Sequence, residues 1–305
     1  MFSARKKEKK KKKVFSKISI IGGGELGKAI AYIAERSDIN FSIWDKDLEK
    51  SSVSSIEECL KGAEAVFFCV PSWGLRSALS SVIELKPEGA PIILFSKGLE
   101  ADTFLSAPEI AASVFSKEEV IFIGGPMIAE EIILGKGCRA VVSGKGSSVE
   151  NVAEIFQGDN ISFELAEDAF SVALLGVMKN IYAMVIGAAE GAEKGRNIRS
   201  YIFSKAILEM AGVVDLLGGD GSLAFSSAGT GDLIATGTSR ESSNWSVGFA
   251  LSSGTASEKT SEGAASIEGV CARLGEVVNE MALLSFARNM LSKGSVSPED
   301  WEIIL

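Results

Sequence analysis

Histidine is absent from this chain of 305 residues. Its absence excludes nucleophilic systems of the Ser-His or Cys-His type, and it excludes dehydrogenases that use histidine as their acid or base. Any proton transfer must therefore be carried out by Lys, Asp, Glu, Tyr, Cys or water.

Cysteine is scarce. The four cysteines, Cys59, Cys69, Cys138 and Cys271, are scattered along the chain without the spacing of a metal site. We therefore expect free thiols in a reducing cytoplasm, with neither a disulfide framework nor a bound metal.

Basic residues are scarce outside the N-terminus. Residues 1–17 hold 9 of the 31 basic residues and 1 of the 40 acidic ones, which leaves 22 basic and 39 acidic residues and a net charge of −17 elsewhere. This balance argues against a nucleic-acid-binding surface. We predict that residues 1–16 form a disordered basic tail, although the run 5–13 could also tether the chain to a nucleic acid or an anionic membrane. No signal peptide is expected, because a strand and a glycine loop follow directly.

Uninterrupted apolar runs of the roughly 18 residues that a membrane span requires are also missing. The nearest candidate, residues 172–186, has apolar residues on every face at helical spacing but contains Lys179 and Asn180. This pattern predicts a buried helix of a globular protein and no integral membrane segment.

Lys179 requires an explanation, because an unpaired buried ammonium is costly. It must face a carboxylate or a bound anion, or lose its proton. Gly176, Asn180, Ala183 and Gly187 follow one another at intervals of 4, 3 and 4 residues, which predicts a stripe of the helix that something approaches closely. The alternative is a lysine in an ordinary internal ion pair, or one that snorkels to the surface.

A glycine fingerprint lies in residues 18–31, where an apolar run leads into Gly22-x-Gly24-x-x-Gly27 and then a helical pattern. The first glycine allows a tight turn, the second lets a pyrophosphate approach the backbone, and the third allows close packing of helix on strand. The spacing therefore predicts a dinucleotide-binding unit.

The next strand, within residues 41–47, ends at Asp45, where a carboxylate can accept hydrogen bonds from the adenosine ribose. Such a carboxylate favours NAD(H) over NADP(H). Lys46 and Lys50 are close in sequence and could reverse this preference.

Further buried runs begin at residues 65, 91, 120 and 139 and alternate at first with helical segments, which predicts a parallel, doubly wound sheet. Ligands of open α/β sheets bind at the carboxyl ends of the strands. Lys97 follows one of these strands, so we expect it to point at the cofactor crevice, unless it is an ordinary loop lysine.

Helical patterns replace the strands after about residue 166. We predict an α/β Rossmann-like domain over residues 17–166, followed by an all-α substrate domain over residues 167–305. A polar stretch rich in Gly, Ser and Thr, residues 226–248, interrupts the helices and contains Asp232 at a predicted helix start. Asp232 is either a site residue or simply an N-cap.

Together these motifs resemble the bacterial type of NAD(P)-dependent glycerol-3-phosphate dehydrogenase over residues 17–292. The resemblance rests on the glycine fingerprint and on VPSW, FSKGLE, GGPMIAEEI, MKNIYAMVIGAAEG, NIRSYIFSKAILEM, AGTGDLIATGTS and IEGV, in that order. It implies reduction of dihydroxyacetone phosphate, a small phosphorylated triose, to sn-glycerol 3-phosphate, which supplies glycerophospholipid synthesis.

The resemblance also implies site residues. Lys179, Lys97 and Asp232 are the expected catalytic residues. The expected substrate-binding residues are Asn180, Thr236, Gly125, Ser243, Asn244 and Arg240, and the expected cofactor-binding residues are Gly22, Gly24, Glu25, Leu26, Gly27, Asp45, Pro71, Trp73, Lys97, Ala129, Asn244 and Glu268. Hydride transfer to a ketone leaves a developing alkoxide, which a preorganised cation such as Lys179 can stabilise and protonate.

One departure concerns the substrate phosphate. The family's Ser-Arg-Asn is replaced here by Ser242-Ser243-Asn244, so the bidentate guanidinium is lost. A charge-assisted contact of this kind contributes about 1.5 to 3 kcal/mol. Arg240, or Arg196 or Arg199, could compensate.

Two other functions stay open for this reason. One is a related β-hydroxyacid or ketone dehydrogenase with another substrate, and the other is an NAD-binding paralogue without turnover. By analogy of fold we also expect a homodimer.

Overall fold

The computed structural model of the chain describes residues 15–115, 119–155, 160–255 and 259–304. The predicted basic tail, residues 1–16, lies outside the described residues except for its last two positions, and the candidate tether, the run 5–13, lies wholly outside them.

A seven-stranded sheet forms the first half of the chain. Its strands are β1 (Lys17–Ile21), β2 (Asn40–Trp44), β3 (Ala65–Phe68), β4 (Ile92–Leu94), β5 (Val120–Gly124), β6 (Cys138–Gly144) and β7 (Ile161–Ala166). The spatial order is β2-β1-β3-β4-β5-β6-β7. Helices flank the sheet: α1 (Glu25–Arg36), α2 (Ile56–Leu60), α3 (Ser72–Val82), α4 (Ala107–Val114), α5 (Ala129–Ile133) and α6 (Ser148–Ile155). A Rossmann-like sheet is thus confirmed.

The prediction of an all-parallel sheet is wrong for one strand pair. Strand β6 runs antiparallel to β5, with Ile121 opposite Gly144 and Gly124 opposite Val141. The connection between them, residues 125–137, contains only the five-residue helix α5 and returns the chain along the sheet in the opposite direction. Strand β7, which the apolar runs did not reveal because it is half-exposed, pairs parallel to β6.

The second half of the chain is helical: α7 (Ala169–Gly191), α8 (Arg196–Leu216), α9 (Asp232–Gly237), α10 (Ser243–Ser253), α11 (Glu262–Leu274) and α12 (Ala282–Lys293). Short 3-10 helices lie at Leu48–Lys50, Gly221–Phe225, Gly275–Glu280 and Pro298–Ile303, and a π-helical turn lies at Ser227–Gly231. The last strand ends at Ala166 and α7 begins at Ala169, on either side of the predicted domain boundary.

Helix α7 is the centre of the helical half. It is the one described helix that is long and apolar enough to cross a membrane, yet 89% of its most apolar window is buried inside the protein. Helix α10 lies so close that a Cβ on Gly187 would sit 2.1 Å from the carbonyl oxygen of Trp245. We therefore assign α7 to the core, as its lysine and asparagine predict.

Candidate active site

The loop between β1 and α1 has the shape of a dinucleotide cradle. Gly22 has a φ of +106°, and a Cβ there would lie 2.5 Å from the carbonyl oxygen of Cys69. A Cβ on Gly27 would lie 2.0 Å from the carbonyl oxygen of Gly22, whereas a Cβ on Gly24 would meet no atom within 4 Å. The backbone is thus open only at Gly24, the N-cap of the 12-residue helix α1. These residues fit a dinucleotide whose pyrophosphate approaches the helix N-terminus.

Asp45, at the end of β2, holds this loop in place. Its carboxylate accepts hydrogen bonds from the backbone N–H groups of Gly23 at 2.7 Å and Asp47 at 2.9 Å. Lys50 pairs with Asp47 at 2.9 Å, so the strand end combines a carboxylate and a neutralised lysine. Of the neighbouring predicted residues, Glu25 is exposed and pairs with Lys28 at 3.3 Å.

A cavity of about 290 Å³ continues from the cradle along the carboxyl ends of β3 and β4. Three of the predicted cofactor-binding residues, Leu26, Pro71 and Lys97, line it. Trp73, also predicted there, instead lines the adjoining cavity and is 73% exposed at its rim. The side chain of Ala129 packs against the core beneath the sheet edge, directly after the segment 126–128 that lines the adjoining cavity.

The adjoining cavity, of about 510 Å³, lies between the sheet edge and the helical half. At its inner end, Lys179 of α7 and Lys97 share the carboxylate of Asp232 at the start of α9. The Lys97 Nζ–Asp232 Oδ2 distance is 2.5 Å, and the Lys179 Nζ–Asp232 Oδ1 distance is 3.2 Å. Lys179 also donates to the hydroxyl of Thr236 at 2.8 Å, and Lys97 donates to the carbonyl of Gly125 at 2.7 Å. We call the three charged side chains, Lys97, Lys179 and Asp232, the inner cluster.

Burial and charge act in opposite directions within the inner cluster. Lys179 is 8% exposed, and burial lowers the pKa of its ammonium, although the Asp232 carboxylate opposes the shift. Burial also favours neutral Asp232, but the two lysines outweigh this effect and hold the pKa of Asp232 below its ordinary value. The cluster therefore contains an ionised carboxylate beside an ammonium that gives up its proton more readily than a solvated lysine.

The small-residue stripe of α7 makes room for this arrangement. A Cβ on Gly176 would lie 3.0 Å from Cγ of Lys97, so the lysine stem packs directly on the helix. One turn later, the Asn180 amide donates to the backbone carbonyl of Lys97 at 2.9 Å. Asn180 in turn accepts a hydrogen bond from the Asn244 amide at 2.9 Å, and Asn244 accepts one from the backbone N–H of Gly263 at 3.0 Å. Both asparagines thus support Lys97 from behind.

The outer wall of the cavity is the segment 239–243, which carries hydroxyls. Ser239, Glu241, Ser242 and Ser243 line it, and Thr260 lies on the opposite rim. Among the described lining residues Lys97 and Lys179 are the cations, and both are held by Asp232.

Arg240 does not enter the cavity, contrary to the prediction. Its side chain is 78% exposed, and its guanidinium pairs with Glu190 at 2.7 Å, on the far side of the segment. Arg199 also pairs with Glu190, at 2.8 Å. The neighbours of Arg240, Ser239 and Glu241, face the cavity, which directs the arginine side chain away from it.

The prediction for Glu268 is wrong. Glu268 is exposed in the middle of α11, whereas Glu262, at the first position of that helix, lines both cavities. Its carboxylate lies 3.4 Å from the Ser72 hydroxyl and 3.4 Å from the Asn180 amide. The signal that identifies it in the sequence is a second Glu-Gly pair, Glu262-Gly263, six residues before Glu268-Gly269.

Comparison with known proteins agrees with this geometry. The sequence pattern described as the C-terminus of NAD-dependent glycerol-3-phosphate dehydrogenase matches residues 168–300, and the pattern for the N-terminus matches residues 51–150. The glycerol-3-phosphate dehydrogenase (NAD(P)+) of Alcanivorax borkumensis is 30% identical over 268 residues, covering 80% of this chain and 78% of that protein. The enzyme of the same name from Pseudomonas syringae is 28% identical over 294 residues, covering 88% and 83%.

A solved structure shares the fold. The crystal structure of glycerol-3-phosphate dehydrogenase from Coxiella burnetii superposes with a TM-score of 0.85 at 21% identity, covering 95% of this chain and 99% of that one. These matches confirm the resemblance inferred from the motifs. The chain therefore belongs to the NAD(P)-dependent glycerol-3-phosphate dehydrogenase family, and it is an oxidoreductase that uses a nicotinamide cofactor.

Proposed function

We propose that the two adjoining cavities carry out the reaction of this family, the reversible reduction of dihydroxyacetone phosphate to sn-glycerol 3-phosphate, with Lys179 as the proton donor. The observation that carries the proposal is a buried ammonium, 3.2 Å from a buried carboxylate, in a cavity that adjoins the dinucleotide crevice. A ketone oxygen bound there would meet a preorganised cation, and no histidine is needed.

The cofactor would lie along the glycine loop and the ends of β1, β3 and β4, held by the residues around Gly24, Leu26 and Pro71. When bound, a reduced nicotinamide supplies the hydride that adds to the carbonyl carbon. Glu262 and Lys97 line both cavities, so they would mark the point where nicotinamide and ketone meet.

Lys179 would stabilise the alkoxide as it forms and transfer one proton from Nζ to its oxygen. Its lowered pKa favours this transfer, and the Asp232 carboxylate keeps enough positive charge at Nζ for the alkoxide to be attracted. In the reverse direction neutral Lys179 accepts the proton of the alcohol. Lys97 would neutralise part of the charge of Asp232, and its own positive charge would attract the anionic substrate.

The phosphate of the substrate would face the outer wall, where Ser239, Ser242 and Ser243 offer hydroxyls in place of a guanidinium. A serine hydroxyl donates one hydrogen bond to a phosphate, whereas a guanidinium can donate two in parallel and adds a full positive charge. We therefore expect a KM for dihydroxyacetone phosphate higher than a wall with an arginine would give.

The finer assignments are proposals too. We expect NAD(H) to be preferred over NADP(H), because the Asp45 carboxylate at the end of β2 would repel a 2′-phosphate. We expect a cytoplasmic enzyme, since the four cysteines are free thiols. We also expect a homodimer through the outward face of α8, where Tyr201, Leu208 and Leu216 are exposed.

The test is steady-state oxidation of NADH and of NADPH with dihydroxyacetone phosphate, beside unphosphorylated dihydroxyacetone, for the full chain and for Lys179→Ala. We expect turnover with the phosphorylated ketone, faster with NADH, and its loss in the variant. If NADH binds but no phosphorylated ketone is reduced, the proposal fails and a related ketone dehydrogenase with another substrate becomes the better reading.

A further inference from the structure

The segment 239–242, which lies in the connection from α9 to α10, carries most of the outer wall of the substrate cavity. Ser239, Glu241 and Ser242 of this segment line the cavity, and the helices on either side contribute Asp232 and Asn244. Any displacement of the segment would therefore move the wall relative to Lys179.

The segment is held from behind by a carboxylate of α7. Glu190, near the end of that helix, accepts from Arg240 Nη2 at 2.7 Å with one oxygen and from Arg199 Nη1 of α8 at 2.8 Å with the other. The Ser246 hydroxyl also donates to the carbonyl of Arg240, at 3.3 Å. Glu190 follows Lys179 by 11 residues, or roughly 16 Å along the helix axis, so it cannot touch a substrate at Lys179.

Packing does not replace this ion pair. Behind the segment lies a cavity of about 580 Å³, bordered by Glu190, Glu193, Arg240 and Phe249. Since the space behind the wall is open, the segment is held there by polar contacts, which include a hydrogen bond from the Lys259 ammonium to the carbonyl of Glu241 at 3.2 Å. Arg199 holds the carboxylate from the other side, because its guanidinium pairs with the second oxygen of Glu190 at 2.8 Å.

We infer that Glu190 is a positioning residue for substrate binding, which acts through Arg240 to hold the outer wall at a fixed distance from the helix that carries Lys179. The inference rests on the proposed function. Disturbing the Glu190–Arg240 pair should weaken substrate binding without slowing the chemical step, because the pair contacts the wall but not the inner cluster.

The first test is Arg240→Met, which removes the link to the wall and leaves the Glu190–Arg199 pair intact. Arg240 is 78% exposed, so the fold should tolerate the change. We expect the KM for dihydroxyacetone phosphate to rise about three- to fivefold, as the loss of an exposed ion pair allows. The kcat, the Kd for NADH and the melting temperature should be unchanged.

Glu193→Gln is the matched control, because Glu193 borders the same cavity without forming an ion pair to a described residue. The KM of this variant for dihydroxyacetone phosphate should equal that of the wild type.

The second variant, Glu190→Gln, tests the carboxylate itself. We expect its KM to rise at least as far as that of Arg240→Met, and the double variant to match Glu190→Gln, because the two changes break one link. An unchanged KM in Arg240→Met overturns the inference. A KM that falls in Glu190→Gln also overturns it, since the freed arginine would then be binding the phosphate directly. A wild-type chain that fails to reduce dihydroxyacetone phosphate overturns the proposed function, and the inference with it.

Discussion

The substrate cavity is bounded at its inner end by three buried charges, Lys97, Lys179 and Asp232, and at its outer wall by the half-exposed hydroxyls of Ser242 and Ser243. The inner charges are held to one another at 2.5 and 3.2 Å and are fixed by the core helix α7. The outer wall belongs to a short connection that has an open cavity behind it.

This difference indicates a division between chemistry and recognition. Buried charges in contact with one another cannot be changed singly without leaving an unpaired charge, whereas neutral hydroxyls on a connecting segment can be replaced at little cost. The inner cluster should therefore control kcat, and the outer wall should control KM for the phosphorylated substrate.

Lys179→Ala is the strongest test of this division between chemistry and recognition. We expect kcat to fall by about 10²- to 10⁴-fold, which is what a positioned acid or base contributes. The removal of an inner cation should leave cofactor binding through the glycine loop intact. The measurement is NADH oxidation with dihydroxyacetone phosphate, accompanied by titration of NADH. A loss confined to KM would contradict the role given to Lys179.

Asp232→Asn should produce the next largest effect. Removing the carboxylate leaves two lysines unbalanced, so we expect a loss of about 3 to 5 kcal/mol in the free energy of unfolding, as for other broken buried pairs. In the wild type the pKa of Asp232 is lowered, so its contribution to stability is complete above the pKa of an unfolded aspartate and disappears as pH falls through its lower folded value. The variant should lack this acid-dependent loss in urea titrations.

The same variant tests the protonation of Lys179. Asp232 raises the pKa of Lys179, so its removal should lower that pKa further. Because the protonated amine is the active form in ketone reduction, kcat falls as pH rises through this pKa. The alkaline limb of the pH profile should therefore move to lower pH in Asp232→Asn. A limb that stays in place would mean that another group donates the proton.

Local sequence patterns marked single members of the inner cluster, and the family resemblance was needed to group them. The glycine spacing and the lysine within an apolar helix each express a constraint within one segment, whereas the patterns left Lys97 and Asp232 with ordinary alternatives. The structure brings Lys179, Lys97 and Asp232 together, as the resemblance implies. The direction of Arg240 depends on how one connection sits between two helices, which no local pattern encodes. For the same reason the antiparallel direction of β6 was missed, since it depends on the path that one connection takes across the sheet edge.

The outer wall can be tested by adding what it lacks. Ser243→Arg would place a guanidinium at the start of α10, beside the cavity. We expect the KM for dihydroxyacetone phosphate to fall by about 10- to 150-fold, the equivalent of one charge-assisted contact. The KM for dihydroxyacetone should not change, and neither should kcat. Ser243→Gln controls for the size of the new side chain, and an equal shift for both ketones would show that the wall does not face the phosphate.

The smallest effect concerns two glutamates of α11 that the sequence does not distinguish. Each precedes a glycine, but they are six residues apart, which on a helix places them on different faces and about 9 Å apart along the axis. Glu262 borders both cavities and raises the pKa of Lys179, whereas Glu268 faces solvent. Glu262→Gln should therefore move the alkaline limb of the kcat profile in the same direction as Asp232→Asn, but less far. We expect kcat to fall by about two- to fivefold, which is less than about 1 kcal/mol in the activation free energy. Glu268→Gln should change neither kcat nor the KM for NADH. If the two variants behave alike, Glu262 does not act on the inner cluster, and α11 contributes nothing to the inner charges of the site.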